Sequence, residues 1–365
     1  MPERLGAQPK QLWQSDLPSD GLGGLAASKR IVVVSCRDPL DENDLFIALD
    51  TRTGKRRWQV QYPAMGSLDY GNAPRATPVI HGDRVILLGA FGQLTCVDAA
   101  SGIEYWRRDL IKEYSATLPT WGFCGSPLID GDRVIIQTGV PAASLVALSL
   151  ETGGEVWRSA GSDASYSSFV IADNPTGSQI VGYDLDSAGG WDAVTGRRLW
   201  KLQPEHGGDF NVPTPLVRGN NLWLTTENNG TRRYQFDEAG KFNSKPVSSN
   251  FDLASDTHTP VMTGTKIYGV WNGLHCLNAD SLETAWSNDA EMYGGYASII
   301  ASENRVLILT QYADLVLLDA LSDEYVELGK WKLGDGATET HSHPAIEGTQ
   351  LFVRIGRRIV CFQLD

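Results

Sequence analysis

The sequence predicts an all-β fold: an eight-bladed β-propeller of four-stranded antiparallel blades, its ring closed by an N-terminal strand that completes the last blade. Three observations predict it. Tryptophans recur at Trp13, Trp58, Trp106, Trp157 and Trp200, spaced by 45, 48, 51 and 43 residues, and return at Trp286 and Trp331. The clearest copies share one phrase, with Asp50, Thr53 and Gly54 ahead of Trp58, Asp98, Ser101 and Gly102 ahead of Trp106, and Asp192, Thr195 and Gly196 ahead of Trp200. Short apolar and β-branched runs separated by glycine turns fill each interval. Strand-rich repeats of about 40–50 residues read as propeller blades.

The second repeat shows the unit. Thr77-Pro78-Val79-Ile80 opens a first strand, and His81-Gly82-Asp83 turns it. Arg84–Leu88 is the second strand, Phe91-Gly92 the next hairpin, Gln93–Val97 the third strand, and Glu104–Arg107 the fourth. Such glycine-punctuated β-runs are the sequence form of hairpins. Read this way, blades fall at about 20–62, 73–110, 122–160, 164–203, 212–248, 257–289 and 294–333, and residues 342–365 join 10–17 in the eighth. The ring absorbs all 365 residues as one domain, although the length alone would suggest two or three. Closure around Trp13 removes the sheet edge that a linear array would leave.

Three copies are expected to be degenerate. The fifth keeps Gly240 but has Ser244 in the tryptophan place, the sixth has Leu282 in the glycine place, and the seventh reaches Trp331 without a Thr-Gly turn. Each tryptophan is expected to pack against the neighbouring blade, burying about 150–250 Å².

Composition excludes several functions. The net charge is −13 and no long basic run occurs, which argues against nucleic acid. No apolar stretch approaches the ~20 residues that cross a bilayer, so no membrane insertion is expected. Met1–Ala7 lacks the apolar core of a secretion signal and is equally compatible with a trimmed leader. Cys96, Cys276 and Cys361 occupy one position in three repeats, cannot meet, and read as small buried hydrophobes. A monomer is expected.

The phrase A-L-D-x-x-T-G-x-x-x-W at Ala48–Trp58, with Thr77-Pro78-Val79 and Ser126-Pro127-Leu128 as strand starts, resembles the repeat of quinoprotein-like propellers. That group includes quinone-dependent alcohol dehydrogenases and the non-catalytic lipoprotein of the β-barrel assembly machinery. Leu118–Pro127 and Asp38–Leu45 are similar to the single-propeller quinoprotein-like proteins of planctomycetes. The resemblance covers the whole chain. It implies the fold, a periplasmic or otherwise exported location, and no settled reaction.

The enzyme branch implies pyrroloquinoline quinone and calcium, held by carboxylate and amide oxygens beside a base and covered by two adjacent cysteines. No adjacent cysteines, C-x-x-C-H, G-x-S-x-G, H-E-x-x-H or phosphate-binding loop occurs, and every repeat is near minimum length. No catalytic residue and no cofactor is therefore assigned. The acids at Asp38, Asp41, Glu42 and Asp44 depart from a calcium loop and read as a solvated hairpin tip.

Propellers bind at the channel mouth. The loops leading into first strands carry Arg75, Trp121, Tyr166, Asp209, Asn211, Asp256, His258, Tyr293, Tyr296, Glu339, His341 and His343. They form either a surface for a polar ligand or peptide, or loops satisfied by water and one another. His258, His341 and His343 would meet on zinc only in a narrow channel. Protonation of these histidines between pH 5 and 8 would strengthen binding of an acidic partner. The expected function is a non-catalytic scaffold for a protein or peptide partner in the cell envelope, with the quinone- and calcium-dependent dehydrogenase as alternative.

Overall fold

The computed structural model describes residues 1–174 and 177–364. Among them, thirty-two strands form eight four-stranded antiparallel sheets. Blades 1 to 7 span residues 26–63, 79–109, 128–159, 170–202, 216–250, 261–288 and 297–332. Each is hydrogen-bonded in chain order from the inner strand outward. Blade 8 takes Ala345–Glu347, Gln350–Ile355 and Arg358–Gln363, and its outer strand is Lys10–Asp16, with Trp13 opposite Cys361. The ring closes as the sequence predicts. One short helix, Leu110–Tyr114, follows blade 2 and is capped by the Asp109 carboxylate.

The repeated phrase has a local and a long-range cause. Asp98 Oδ1 accepts the amides of Ala100 (3.1 Å) and Ser101 (2.8 Å) and the Ser101 hydroxyl, fixing the turn between third and fourth strands. Asp50 and Asp192 do the same for their own turns. The glycine that follows is left-handed, and the tryptophan of the preceding blade lies flat on it. A Cβ on Gly153 (φ +69°) would stand 2.6 Å from Trp106 Cδ2, and one on Gly102 (φ +73°) 2.8 Å from Trp58. The indole N–H then bonds into the same turn: Trp58 to Ala99 O (2.9 Å), Trp106 to Leu150 O (3.0 Å) and Trp13 to Thr51 O (2.8 Å). Aspartate, glycine and tryptophan thus form one joint between blades. Cys96, Cys276 and Cys361 lie opposite Trp106, Trp286 and Trp13, buried and unpaired as expected. Burial pushes the Cys361 thiol up to about 12, which keeps it a thiol.

The degenerate blades correct two expectations. In blade 5 the strand register puts Ser248, not Ser244, in the tryptophan place, because a bridge between Phe236 and Phe242 lengthens the turn. No fourth-strand indole then presses on blade 6, and Leu282 at φ +60° occupies the glycine position. The joint is restored from the second strand: Trp223 donates to Ala279 O at 2.7 Å. In blade 7 the residue opposite Leu317 is Gly329, and Trp331 lies two residues beyond the repeat position. No hairpin turn joins the outer two strands of blade 8, so residues 1–9 supply its equivalent. Leu5 lies over Gly329 and its amide bonds Leu328 O (3.2 Å), while Trp331 Nε1 donates to Gly6 O (2.7 Å). Leu5→Ala is expected to destabilise the protein by about 2–4 kcal/mol, as for other buried leucines. Chemical denaturation measures this, and an unchanged midpoint would remove the segment from the core.

Candidate functional site

In every blade the linker entering the first strand and the hairpin between second and third strands lie on one face of the ring. On blade 1 and the linker to blade 2, residues 38–42 and 64–78 are stitched together there. Arg37 and Asp44 are ladder partners flanking the hairpin. Buried Arg37 bonds Asp44 Oδ1 (2.7 Å), Asp41 Oδ1 (2.7 Å) and Ala64 O (2.9 Å), and Asn72 Nδ2 reaches Asp41 Oδ2 (2.6 Å). This corrects the solvated-tip reading for Asp44, which is wholly buried with Oδ2 unpartnered. Burial, opposed by Arg37, pushes its carboxyl up to about 7. Asp38 is spent on the amides of Glu42 and Asn43. Leu40, Met65 and Tyr70, on the same two loops, are 75%, 74% and 81% exposed.

Beside this patch is a cavity of about 950 Å³, lined among others by Asp20, Gly21, Tyr70, Arg75, Glu339 and Arg354. Tyr296 and His341 also line it. Arg354 comes from the second strand of blade 8 and is 1% exposed. It donates to Ser35 O (2.6 Å) in blade 1 and Ser19 O (2.9 Å) in the closing linker. Arg75 holds its own loop through the carbonyls of Asp69 (2.6 Å), Gly71 (2.8 Å) and Ala73 (2.9 Å). Arg37, Asp44, Tyr70 and Arg354 were not foreseen as site residues. The signal for Arg354 was a charge inside the apolar run Leu351–Ile355.

The twelve expected residues divide into groups. Arg75, Tyr296, Glu339 and His341 line the cavity. Trp121 and Tyr166 meet at a tilt of 48° with centroids 4.8 Å apart, and Phe210 meets Trp121 edge-on at 4.8 Å, forming an aromatic cluster over blades 3 to 5. Asp256 contacts the Thr257 hydroxyl (3.0 Å) next to His258. Three residues have structural partners instead. Asp209 is buried and binds Asn228 N (2.9 Å) and Asn229 Nδ2 (2.7 Å), and buried Asn211 donates to Leu185 O (2.9 Å). Tyr293 is 0% exposed with its hydroxyl 3.1 Å from that of Tyr325, so it belongs to the core and not to the mouth. The placement differs because a short 3-10 turn, Glu291–Tyr293, folds that side chain inward.

The histidines converge on a tyrosine. Centroids of His258, His341 and His343 lie 5.2, 5.2 and 6.3 Å from that of Tyr296. Among the described residues no three His, Cys, Asp or Glu side chains form a metal-holding group. The expected titration is also corrected for His258 and His343. Burial lowers the His258 imidazole to about 4, so it is neutral from pH 5 to 8. His343 is partly exposed yet has protein closely around it, and that desolvation lowers it too. Because the folded value of His258 lies below that of the unfolded chain, its contribution is present above pH ~6.5 and is lost as pH falls toward ~4, about 3 kcal/mol in all. Stability of wild type relative to His258→Gln should fall through that window; parallel curves would contradict the assignment.

Of the acids lining the cavity, Asp38 and Asp41 are turned into their own loop, Asp20 and Glu339 line it as well, and the five cysteines are all single. With this geometry in view, the family described as outer membrane protein assembly factor BamB matches residues 6–87 and 67–288. The chain belongs to this family. Among solved structures it is similar to BamB from Moraxella catarrhalis, with 16% identity, 97% of each chain covered and a TM-score of 0.65. A quinohemoprotein alcohol dehydrogenase from Pseudomonas putida HK5 is 12% identical, with 100% of this chain and 77% of that one covered and a TM-score of 0.68. The computationally designed protein Ika8 is 13% identical over 97% of this chain and 99% of its own, with a TM-score of 0.67. At these identities the solved structures show the fold alone. No curated protein matches the sequence.

Proposed function

We propose that this member of the BamB family is a non-catalytic binding propeller. It docks a protein or peptide partner of outer-membrane protein assembly, in the cell envelope, through the face that carries the linkers and second-to-third-strand hairpins. The observation that carries this reading is the exposure of Leu40, Met65 and Tyr70 on two loops tied to each other, with Tyr70 also lining the cavity. Exposed apolar side chains grouped on rigid loops mark partner surfaces. Arg37 supplies the rigidity here by tying both loops to blade 1.

Photo-crosslinking residues placed at Met65 and Tyr70, and at Ile103 and Val194 on the opposite turns, test it in cells. A partner captured from the first pair only is expected. Equal capture from both faces would sink the reading. Leu40→Asp with Met65→Asp should weaken the captured partner about tenfold or more while leaving stability within ~0.5 kcal/mol, as for surface positions. Pyrroloquinoline quinone with calcium is expected to leave the melting temperature unchanged; a calcium-dependent rise would favour the dehydrogenase alternative.

A further inference from the structure

Surface charge selects a partner by sign. The chain carries a net charge of −13, and the excess is not spread evenly. The linkers into blades 1, 4, 5, 6, 7 and 8 each carry Asp or Glu and neither Lys nor Arg. Those into blades 2 and 3 are balanced, Asp69 with Arg75 and Glu113 with Lys112. The hairpins between second and third strands add Asp38, Asp41, Glu42, Asp186 and Glu227 against Arg357. All these loops lie on the face that bears Leu40, Met65 and Tyr70. The turns of the opposite face carry both signs and pair them, Asp50 with Arg57, Asp280 with Arg233 and Asp323 with Lys266.

Around Leu40, Met65 and Tyr70, exposure divides the charges by sign. Asp20, Asp41, Glu42, Asp69 and Glu339 are exposed, whereas Arg37 and Arg354 are buried and Arg75 is half-buried. Arg37 is met by Asp41 and Asp44, the Gly21 backbone covers Arg354, and Arg75 is tied to three carbonyls of its own loop. These guanidiniums are struts, and carboxylates are what the surface presents. Asp20, Glu42 and Asp69 make their hydrogen bonds among the described residues through backbone atoms alone, which leaves their carboxylates free. Rings accompany the acids. Phe210, Phe251 and Tyr312 are exposed on loops of the same face, and the Tyr312 hydroxyl donates to Glu339 Oε1 at 3.4 Å. Aromatic faces attract cations independently of any carboxylate. A phosphate-bearing or acidic partner would be repelled from this surface.

We propose that the docking segment of the partner protein is basic, a stretch rich in lysine and arginine that lies across this face. Its cations meet Asp20, Glu42 and Asp69, and the apolar side chains between them rest on Leu40, Met65 and Tyr70. This rests on the docking face proposed above and adds the sign of the partner to it. The attraction acts before contact, so it speeds encounter as well as holding the segment.

Random decapeptides panned on the full chain at low salt test this, followed by affinity measurements on the synthesised, fluorescently labelled winners. The enriched peptides are expected to carry an excess of lysine and arginine. Raising salt from about 0.05 to about 0.5 M should weaken them about tenfold. The triple variant Asp20→Asn, Glu42→Gln, Asp69→Asn, its fold checked by melting temperature, should also lose about tenfold in affinity. Glu151→Gln, Glu238→Gln, Glu324→Gln removes the same charge from the opposite turns and should stay within about twofold. Enriched peptides without a basic excess, no enrichment, salt-indifferent binding, or equal losses in the two triple variants would each overturn the proposal. Neutral peptides that need Met65 and Tyr70 would refute the basic segment and leave the docking face standing. Crosslinking from both faces of the ring would refute the docking face itself.

Discussion

Gly153→Ala is expected to destabilise the protein by about 2–4 kcal/mol, the left-handed backbone contributing about 1–2 and the overpacked indole the rest. The added methyl would stand 2.6 Å from Trp106 Cδ2, on a ring that is buried between blades 2 and 3. Neither side can yield easily, because Trp106 is held by its bond to Leu150 O and by the core around Ile86 and Val146. Gly131→Ala is the control: its φ is +58° but nothing lies within 4 Å of the new atom. That variant should lose only the backbone part, about 1–2 kcal/mol. Urea denaturation of both variants separates the two contributions. Equal losses would mean that the glycine is kept for its turn and not for the tryptophan it supports.

Arg354→Met is expected to cost about 3–5 kcal/mol, comparable to breaking other buried charged contacts. The side chain spans the closure of the ring, from blade 8 to Ser35 O of blade 1 and Ser19 O of the linker. Removing it strands those oxygens, and Ser35 is itself wholly buried. The damage should be local at first. Amides of Lys10–Asp16 and Arg358–Gln363, the two strands zipped at closure, should exchange with solvent faster than those of blades 3 and 4. Uniform acceleration around the ring would show that closure is not the weakest seam. The hydrophobic part of the seam remains in the variant, since Trp13 and Phe352 still pack with Val32, Val34 and Leu45.

The joints between blades explain why the fold was legible and the site was not. Aspartate, glycine and tryptophan act within one turn and across one neighbour, so the same chemistry recurs wherever the interface recurs. Their interval therefore reads out the number of blades. Trp13 and the three closing strands completed the count for the same reason. Where a joint was rebuilt by another element, as by Trp223 in blade 5 or Leu5 in blade 7, the local pattern misplaced the tryptophan position by four residues and by two. Compensation between distant segments leaves no periodic signal.

By itself, the sequence determined the all-β class, eight blades and N-terminal closure, because these depend on hairpin turns and on contacts repeated every blade. Only the tertiary structure decided which mouth residues face the cavity. A loop residue's orientation depends on its neighbours around the ring, so Tyr293 turns into the core while Tyr296, three residues later, meets three histidines. Charge compensation is likewise a property of space. Arg37 and Arg354 stand in similar strands, yet one finds two carboxylates and the other only uncharged partners beside an open cavity.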